Sequence, residues 1–344
     1  MTKQASMPDR LIIDVKDLKV HFTLGGGLIA SILRSKSRIV KAVDGISFQI
    51  RKGEILGFAG ESGCGKTTTG LTLLRLYKPT HGEIQFNGQN IANIKQRAKI
   101  KEFRRHVQMV FQNPYETLNP RFNVYQTLNE MLIIHKIGDK NERRLRVYQA
   151  LHNAGLIPPQ NYLHKKPFEL SGGERQRISI ARAIVLEPEL IVADEPVAML
   201  DVSIRAEILN LLKSLATNTS VSIMFISHDL LSISYLCDRV AVMYMGVIVE
   251  IGNTWEVVQK PLHPYTKNLV SSIPILDPDI TRARISSSFE PPDPIGYKSG
   301  CRFSYRCSFA MQICEENDPK LCEIEPNHWV ACHLYNPAKR EVSE

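Results

Sequence analysis

Three short segments in a fixed order carry the chemistry available to this 344-residue chain. The first, Gly60-Glu61-Ser62-Gly63-Cys64-Gly65-Lys66-Thr67, has the spacing G-x-x-x-x-G-K-[ST], with Thr68 directly after it. Its glycines let successive backbone N–H groups turn inward at phosphate oxygens, its lysine reaches the β- and γ-phosphates, and its hydroxyl holds Mg²⁺. The second, residues 170–177, reads Leu-Ser-Gly-Gly-Glu-Arg-Gln-Arg. Ser171 and Glu174 there form a capping box, while Gly172 and Gly173 cost helix stability yet leave backbone amides bare to an approaching phosphate. The third, residues 190–195, is apolar and ends in Asp194-Glu195. Those two carboxylates suit a magnesium ion bound through water and the water that attacks a γ-phosphate.

Such groups need particular elements behind them. Residues 54–59 read as a short buried strand, and a helix beginning near Lys66 adds the positive end of its dipole to the phosphate cradle. Asp194 closes an apolar run of the kind expected for a central parallel strand whose C-terminal edge opens onto the ligand crevice. The coarse order is a strand near residues 11–22, a loop holding Gly25-Gly26-Gly27, strands around the phosphate loop, a mostly helical insert from about 113 to 171, then alternating strands and helices to Gly252. Alternation of this kind predicts an α/β fold, a largely parallel sheet covered by helices. Residues 25–38 carry Leu28, Ile29, Ile32 and Leu33 at amphipathic spacing, but the stretch is short and reads as a loop, not a membrane anchor.

The length corresponds to about two domains, and 43% hydrophobic with 23% charged residues is an ordinary globular balance. No apolar run approaches the roughly 20 residues that span a bilayer, and residues 1–10 are polar, unlike a secretory signal. The chain is therefore expected to be soluble and to meet a membrane through partners. Net charge is +8, with an acidic end: from Asp277 onward there are 8 Lys/Arg against 11 Asp/Glu. The basic stretches 95–105 and 140–146 lack interleaved aromatics and read as exposed helix faces, without nucleic-acid binding.

The three segments together resemble the ATP-binding cassette (ABC) ATPases, over about residues 11–252. The resemblance implies a P-loop ABC fold with a mostly parallel core, an antiparallel β part and a helical subdomain at about 113–180. It implies ATP and Mg²⁺ as ligands, held by residues 60–68, with Thr67, Gln112 and Asp194 at the magnesium. Glu195, His228 and Gln112 take the catalytic roles, His228 touching the γ-phosphate and Gln112 coupling to membrane subunits. Ser171, Gly172, Gly173 and Asp201 are implied to reach the ATP of a second protomer. Taken singly, a His or a Gln is usually a surface or core residue; its station in the ordered series assigns it here. Two positions depart from the family pattern. Ser37 or Arg38 stands where relatives place an aromatic residue against adenine, leaving Arg38 to stack its guanidinium instead. Ala198 and Met199 stand where many relatives have Ser and Ala.

The last third resembles the C-terminal extension of ATPases from oligopeptide and dipeptide importers, through Pro261-Leu262-His263-Pro264-Tyr265-Thr266 and the segment beginning Gly300-Cys301-Arg302-Phe303. The boundaries expected are an ATPase domain over 1–260 and an extension over 261–344, with the Pro-rich residues 290–294 as linker. Five of seven cysteines lie in the extension, at 301, 307, 314, 322 and 332, while Cys64 and Cys237 read as bystanders. Clustered thiols in a reducing compartment point to metal, and four thiolates suit zinc or an iron–sulfur cluster, with reduced structural thiols the remaining reading. By resemblance, Cys301, Cys307, Cys314 and Cys332 match ligands that hold a 4Fe-4S cluster in relatives, zinc being the alternative, and Cys322 falls outside that set. Such a cluster lies outside the phosphate site. The expected partners are a second, non-identical ABC ATPase subunit, two transmembrane permease subunits and an extracytoplasmic substrate-binding protein, at the cytoplasmic face of the membrane. Peptides are the expected cargo, with oligosaccharides or nickel as the runner-up. A soluble ABC ATPase acting on nucleic acid would add a long coiled coil or a second ATPase domain, and neither pattern is present.

Overall fold

A computed structural model describes residues 10–24, 38–272 and 299–335. The Gly25-Gly26-Gly27 loop, the amphipathic stretch, Ser37 and the linker at 290–294 lie outside the described residues, as does the side chain of Arg38.

A four-stranded antiparallel sheet, ordered β2-β1-β4-β5, is built from β1 (Leu11–Leu24), β2 (Arg38–Arg51), β4 (His81–Phe86) and β5 (Gln89–Asn90). Ile13, Val15, Ile46, Phe48, Ile50 and Ile84 fill its inner face. A second sheet has eight strands in the order β11-β12-β10-β9-β3-β8-β7-β6. Its parallel part comprises β3 (Ile55–Ala59), β6 (Val107–Val110), β7 (Leu190–Asp194), β8 (Ser222–Ser227) and β9 (Arg239–Tyr244). Every residue of β3, β7 and β8 is buried, the continuous burial that a sheet covered on both faces imposes. On the far edge β10 (Val247–Asn253) runs antiparallel to β9. There β11 (Cys322–Glu325) and β12 (His328–Val330) extend the same sheet, Glu250 pairing with Val330 and Ile251 with Trp329.

Helices cover these strands: α1 (Lys66–Leu73), α2 (Arg97–His106), α3 (Pro114–Thr117), α4 (Val124–Ile134), α5 (Lys140–Asn153), α6 (Gly172–Ile184), α7 (Val202–Thr219), α8 (Leu230–Leu236), α9 (Thr254–Gln259), α10 (Pro264–Ser271) and α11 (Gln312–Glu316). The helical insert is real, and its starts follow side-chain capping. Asn123 accepts from the Gln126 N–H while Gln126 accepts from the Asn123 N–H, and Asp139 caps α5 by accepting from Asn141 and Glu142. Leu128 and Leu132 of α4, Val147 and Leu151 of α5 and Ile178 of α6 share one core with the sheet. At about 1.5–3 kcal/mol for each such side chain buried, that core holds the insert in place. Both basic stretches fall on helix faces: α2 buries only Phe103, and Arg146 of α5 pairs with Glu142 and Glu187. Among the described residues no helix is long and apolar enough to cross a membrane.

Candidate functional site

The carboxyl ends of β3, β7 and β8 open on one edge, and the site is built there. After β3 the chain turns through residues 60–65 into α1. Two glycines are dictated by close backbone neighbours: at Gly60 (φ 148°) an added Cβ would lie 2.3 Å from the Met243 carbonyl oxygen, and at Gly65 (φ 106°) 2.2 Å from that of Ala42. Any side chain at either point would push the loop off β9 or β2. Lys66, buried at the first position of α1, donates from Nζ to the carbonyls of Gly60 at 2.6 Å and Glu61 at 2.9 Å. Its ammonium thus lies under the loop, at the positive end of the helix. Ser62, Gly63 and Thr67 are exposed, Thr68 is half-buried and Cys64 is buried.

Thr67 Oγ1 donates to Asp194 Oδ1 at 3.1 Å, joining two of the three expected magnesium groups. Burial pushes the Asp194 carboxyl pKa up, against the pull of the Thr67 hydroxyl, and the neighbouring Glu195 charge adds to the rise. A divalent cation at this point would reverse that balance. Glu195 adopts a left-handed backbone (φ 48°), strained for a residue with a side chain, and its N–H is tied to the Ile226 carbonyl at 2.9 Å. In this geometry Glu195 Oε2 meets His228 Nδ1 at 2.6 Å. The structure therefore gathers Lys66, Thr67, Asp194, Glu195 and His228 on one rim. Gln112 is exposed, two residues past β6 and on the same edge, and it hydrogen-bonds to none of them.

The second segment lies elsewhere on the surface. Ser171 caps α6 reciprocally with Glu174: the Glu174 N–H donates to Ser171 Oγ at 3.2 Å and the Ser171 N–H to Glu174 Oε2 at 2.7 Å. Its two glycines differ. A Cβ on Gly173 would meet Ile204 Cγ2 of α7 at 2.8 Å, whereas one on Gly172 would meet only Leu200 Cδ2 at 3.8 Å. Gly173 is thus held to a glycine by helix packing, whereas the half-buried Gly172 has room for a side chain at ordinary contact distance. Asp201 occupies the N-cap position of α7 without a side-chain cap bond, between the exposed Met199 and Val202.

Sequence reasoning missed the groups that hold the phosphate loop from the far end of the chain. Arg306 makes a two-pronged ion pair with Glu61, at 2.9 and 3.0 Å, and Tyr265 Oη accepts the Glu61 N–H at 2.9 Å. Arg302 likewise binds Asp44 and the Met245 carbonyl. Tyr265 stands in a segment that marks the family, but nothing in the spacing of Arg306 and Glu61 could pair them.

In the C-terminal segment, burial pushes the thiol of Cys301 up to about 12 and that of Cys332 to about 11, and it raises Cys307 as well. Cys314 and Cys307 add to the rise at two of these thiols. Backbone N–H groups two residues on, at Phe303, Phe309 and Leu334, pull the other way. Among the described residues, no three His, Cys, Asp or Glu side chains converge to hold a metal ion. The metal site expected from the clustered cysteines is therefore not formed among the described residues, where ligation would need sulfurs about 2.3 Å from one point. Cys64 and Cys237 are buried and Cys322 is half-buried on β11.

Comparison with known proteins adds sequence and fold evidence. The profile of the ABC transporter family matches residues 43–198, and that of the oligopeptide/dipeptide transporter C-terminal region matches residues 249–314. The oligopeptide transport ATP-binding protein AppF of Bacillus subtilis is 45% identical, over 94% of this chain and 98% of AppF. OppF of the same organism, also an oligopeptide transport ATP-binding protein, is 42% identical, over 93% and 96%. Among solved structures, the dimeric ATP-binding cassette MJ0796 in a post-hydrolysis state with ADP and Pi superposes with a TM-score of 0.61 at 26% identity. That match covers 70% of this chain and 98% of the other.

Proposed function

This chain belongs to the ATP-binding subunits of oligopeptide-type ABC transporters, and from that premise we propose that it hydrolyses ATP to power the import of peptides. The observation that carries the reading is the joining of Lys66, Thr67, Asp194, Glu195 and His228 on one rim, in a chain that aligns nearly end to end with oligopeptide transport ATP-binding proteins.

In this reading Lys66 and the amides of residues 60–68 bind the ATP phosphates. Thr67 and Asp194 hold Mg²⁺, with Gln112 as the third group. Glu195 orients and deprotonates the attacking water, and His228, bonded to Glu195, contacts the γ-phosphate. Ser171, Gly172, Gly173 and Asp201 serve the ATP of a partner subunit in a head-to-tail pair. The exposed Met199 and Val202 beside Asp201 supply apolar surface for that contact. ATP binding closes the pair and hydrolysis opens it, a rigid-body switch that drives two permease subunits at the cytoplasmic face. A substrate-binding protein on the other side delivers the peptide. The altered Ala198-Met199 pair favours a non-identical ATPase partner. The boundaries proposed are those at about residue 260 between cassette and extension.

For Cys301, Cys307, Cys314 and Cys332 the 4Fe-4S reading rests on the family resemblance alone, with zinc as the alternative, since among the described residues no three such side chains converge to hold a metal ion. Bound there, a cluster would tie four points of the segment together. Purification from native membranes tests the whole reading: permease subunits, a second ATPase and a peptide-binding protein should come with the chain, and vesicles of that complex should accumulate labelled peptide only with ATP. Uptake of oligosaccharide or nickel in place of peptide would overturn the cargo.

A further inference from the structure

The phosphate loop carries an acid directly after its first glycine, where an unpaired carboxylate would repel a bound triphosphate. That charge is met by Arg306, whose Nη1 and Nη2 donate to Glu61 Oε2 and Oε1 at 2.9 and 3.0 Å. Paired N–H···O bonds of this kind fix direction as well as distance. The guanidinium is 9% exposed and stands 5.8 Å from the ring centroids of both Tyr244 and Phe303, so its own rotamer is set by packing. Tyr265 grips the main chain of the same residue by accepting the Glu61 N–H. Its ring is buried 4.6 Å from that of Tyr244 and 5.5 Å from that of Phe303. The Glu61 carbonyl in turn receives Lys66 Nζ. Side chain, N–H and carbonyl of one loop residue are therefore all held, two of them by residues from beyond the cassette's last strand pair.

We propose that Arg306 and Tyr265 are positioning residues of the nucleotide site: they pin the Glu61 turn and neutralise its charge, so that the cysteine-bearing C-terminal segment sets the affinity for ATP. The inference rests on the reading of Lys66 as the phosphate-binding lysine and deepens it. Neither residue needs to touch the nucleotide. Arg306 acts through the Glu61 charge and Tyr265 through the loop backbone, which predicts different signatures for the two.

Calorimetric titration of the full chain with ATP and Mg²⁺ separates these roles. Arg306→Gln should raise the ATP Kd about ten-fold, the loss expected for a charge-assisted pair that leaves its partner unpaired, and added salt should shrink the gap. Removing the stranded carboxylate as well, in Arg306→Gln with Glu61→Gln, should bring Kd back to within about three-fold of the parent. Tyr265→Phe keeps the ring and deletes one acceptor. It should raise Kd about three-fold with no salt dependence, and it serves as the test if the Arg306 variant does not fold. A clamp that merely stabilised the fold would lower the melting temperature and leave Kd, its salt dependence and the double-variant rescue unmoved; that result would overturn the proposal. Lys66→Ala is the control: if it binds ATP as the parent does, the phosphate-site reading itself is wrong, whereas loss there with unchanged Arg306 and Tyr265 variants sinks the positioning role alone.

Discussion

Glu195 is held by its backbone and by His228 in a conformation that costs strain, and the proposed mechanism makes it the base. Glu195→Gln keeps the size and one acceptor oxygen but removes the base. Turnover should therefore fall about 100-fold or more while the ATP Kd stays within a few-fold, measured as phosphate release and by calorimetry. Near-parental turnover would take the catalytic role from Glu195. Lys66→Ala should act on the other quantity, weakening ATP binding about 10- to 100-fold by deleting a charge-assisted phosphate contact. Lys66, Thr67, Asp194 and Glu195 stood out in sequence because each lies in a recognisable local motif, whereas His228 could be singled out only through its station in the family series. Arg306 was not, because its partner is 245 residues away and only folding brings the two together. His263 supplies a pH test. Burial depresses its pKa to about 3, and its Nδ1 caps α10 by accepting the Tyr265 N–H. The unfolded chain takes up a proton below about pH 6.5 that the folded one refuses, so this contribution is complete above that pH and lost as pH falls toward 3. The melting temperature should drop between pH 7 and 5, by up to about 2 kcal/mol of stability from this group. His263→Asn, which caps without titrating, should flatten the slope; an unchanged slope would place the acid sensitivity elsewhere.

Elements built from one continuous pattern were readable, and those built from pairings across the chain were not. The uninterrupted apolar runs of β3, β7 and β8 mark strands covered on both faces, and the Ser171-Glu174 box marks the start of α6. The glycines inside that box read alike in sequence, but the packing of α6 on α7 separates them. Gly173→Ala drives a methyl into Ile204 and should cost about 1–3 kcal/mol, seen as a lower melting temperature of the isolated chain. Gly172→Ala meets only ordinary contact and should leave that temperature nearly unchanged. Its effect should appear instead as lost ATP turnover in the assembled pair, where a methyl would stand between the helix N-terminus and the partner's phosphate. If Gly172→Ala assembles and turns over at the parental rate, this helix start has no role in the second ATP site.

Across the whole molecule, the C-terminal segment is joined to the cassette in several places. Strand β12 pairs with β10, Arg302 binds Asp44, and Arg306 binds Glu61. None of this was legible, since β12 is three residues long and its pairing partner lies about eighty residues earlier. The family resemblance implied a cluster outside the phosphate site, and the Arg306 bond connects the cysteine-bearing segment to that site, because Arg306 immediately precedes Cys307. A cluster bound by Cys301, Cys307, Cys314 and Cys332 would make anaerobically purified protein brown, with about four irons and matching sulfide per chain. Replacing any of the four with Ser should bleach it. Cys322→Ser should not, since that residue lies on β11 and outside the set that the family resemblance marks. Bleaching by Cys307→Ser should also loosen Arg306 and raise the ATP Kd, while Cys332→Ser, next to β12, should mainly lower the melting temperature. Stoichiometric zinc without iron or sulfide would replace the cluster by a structural zinc site, and the absence of all three would leave reduced thiols packed against the cassette.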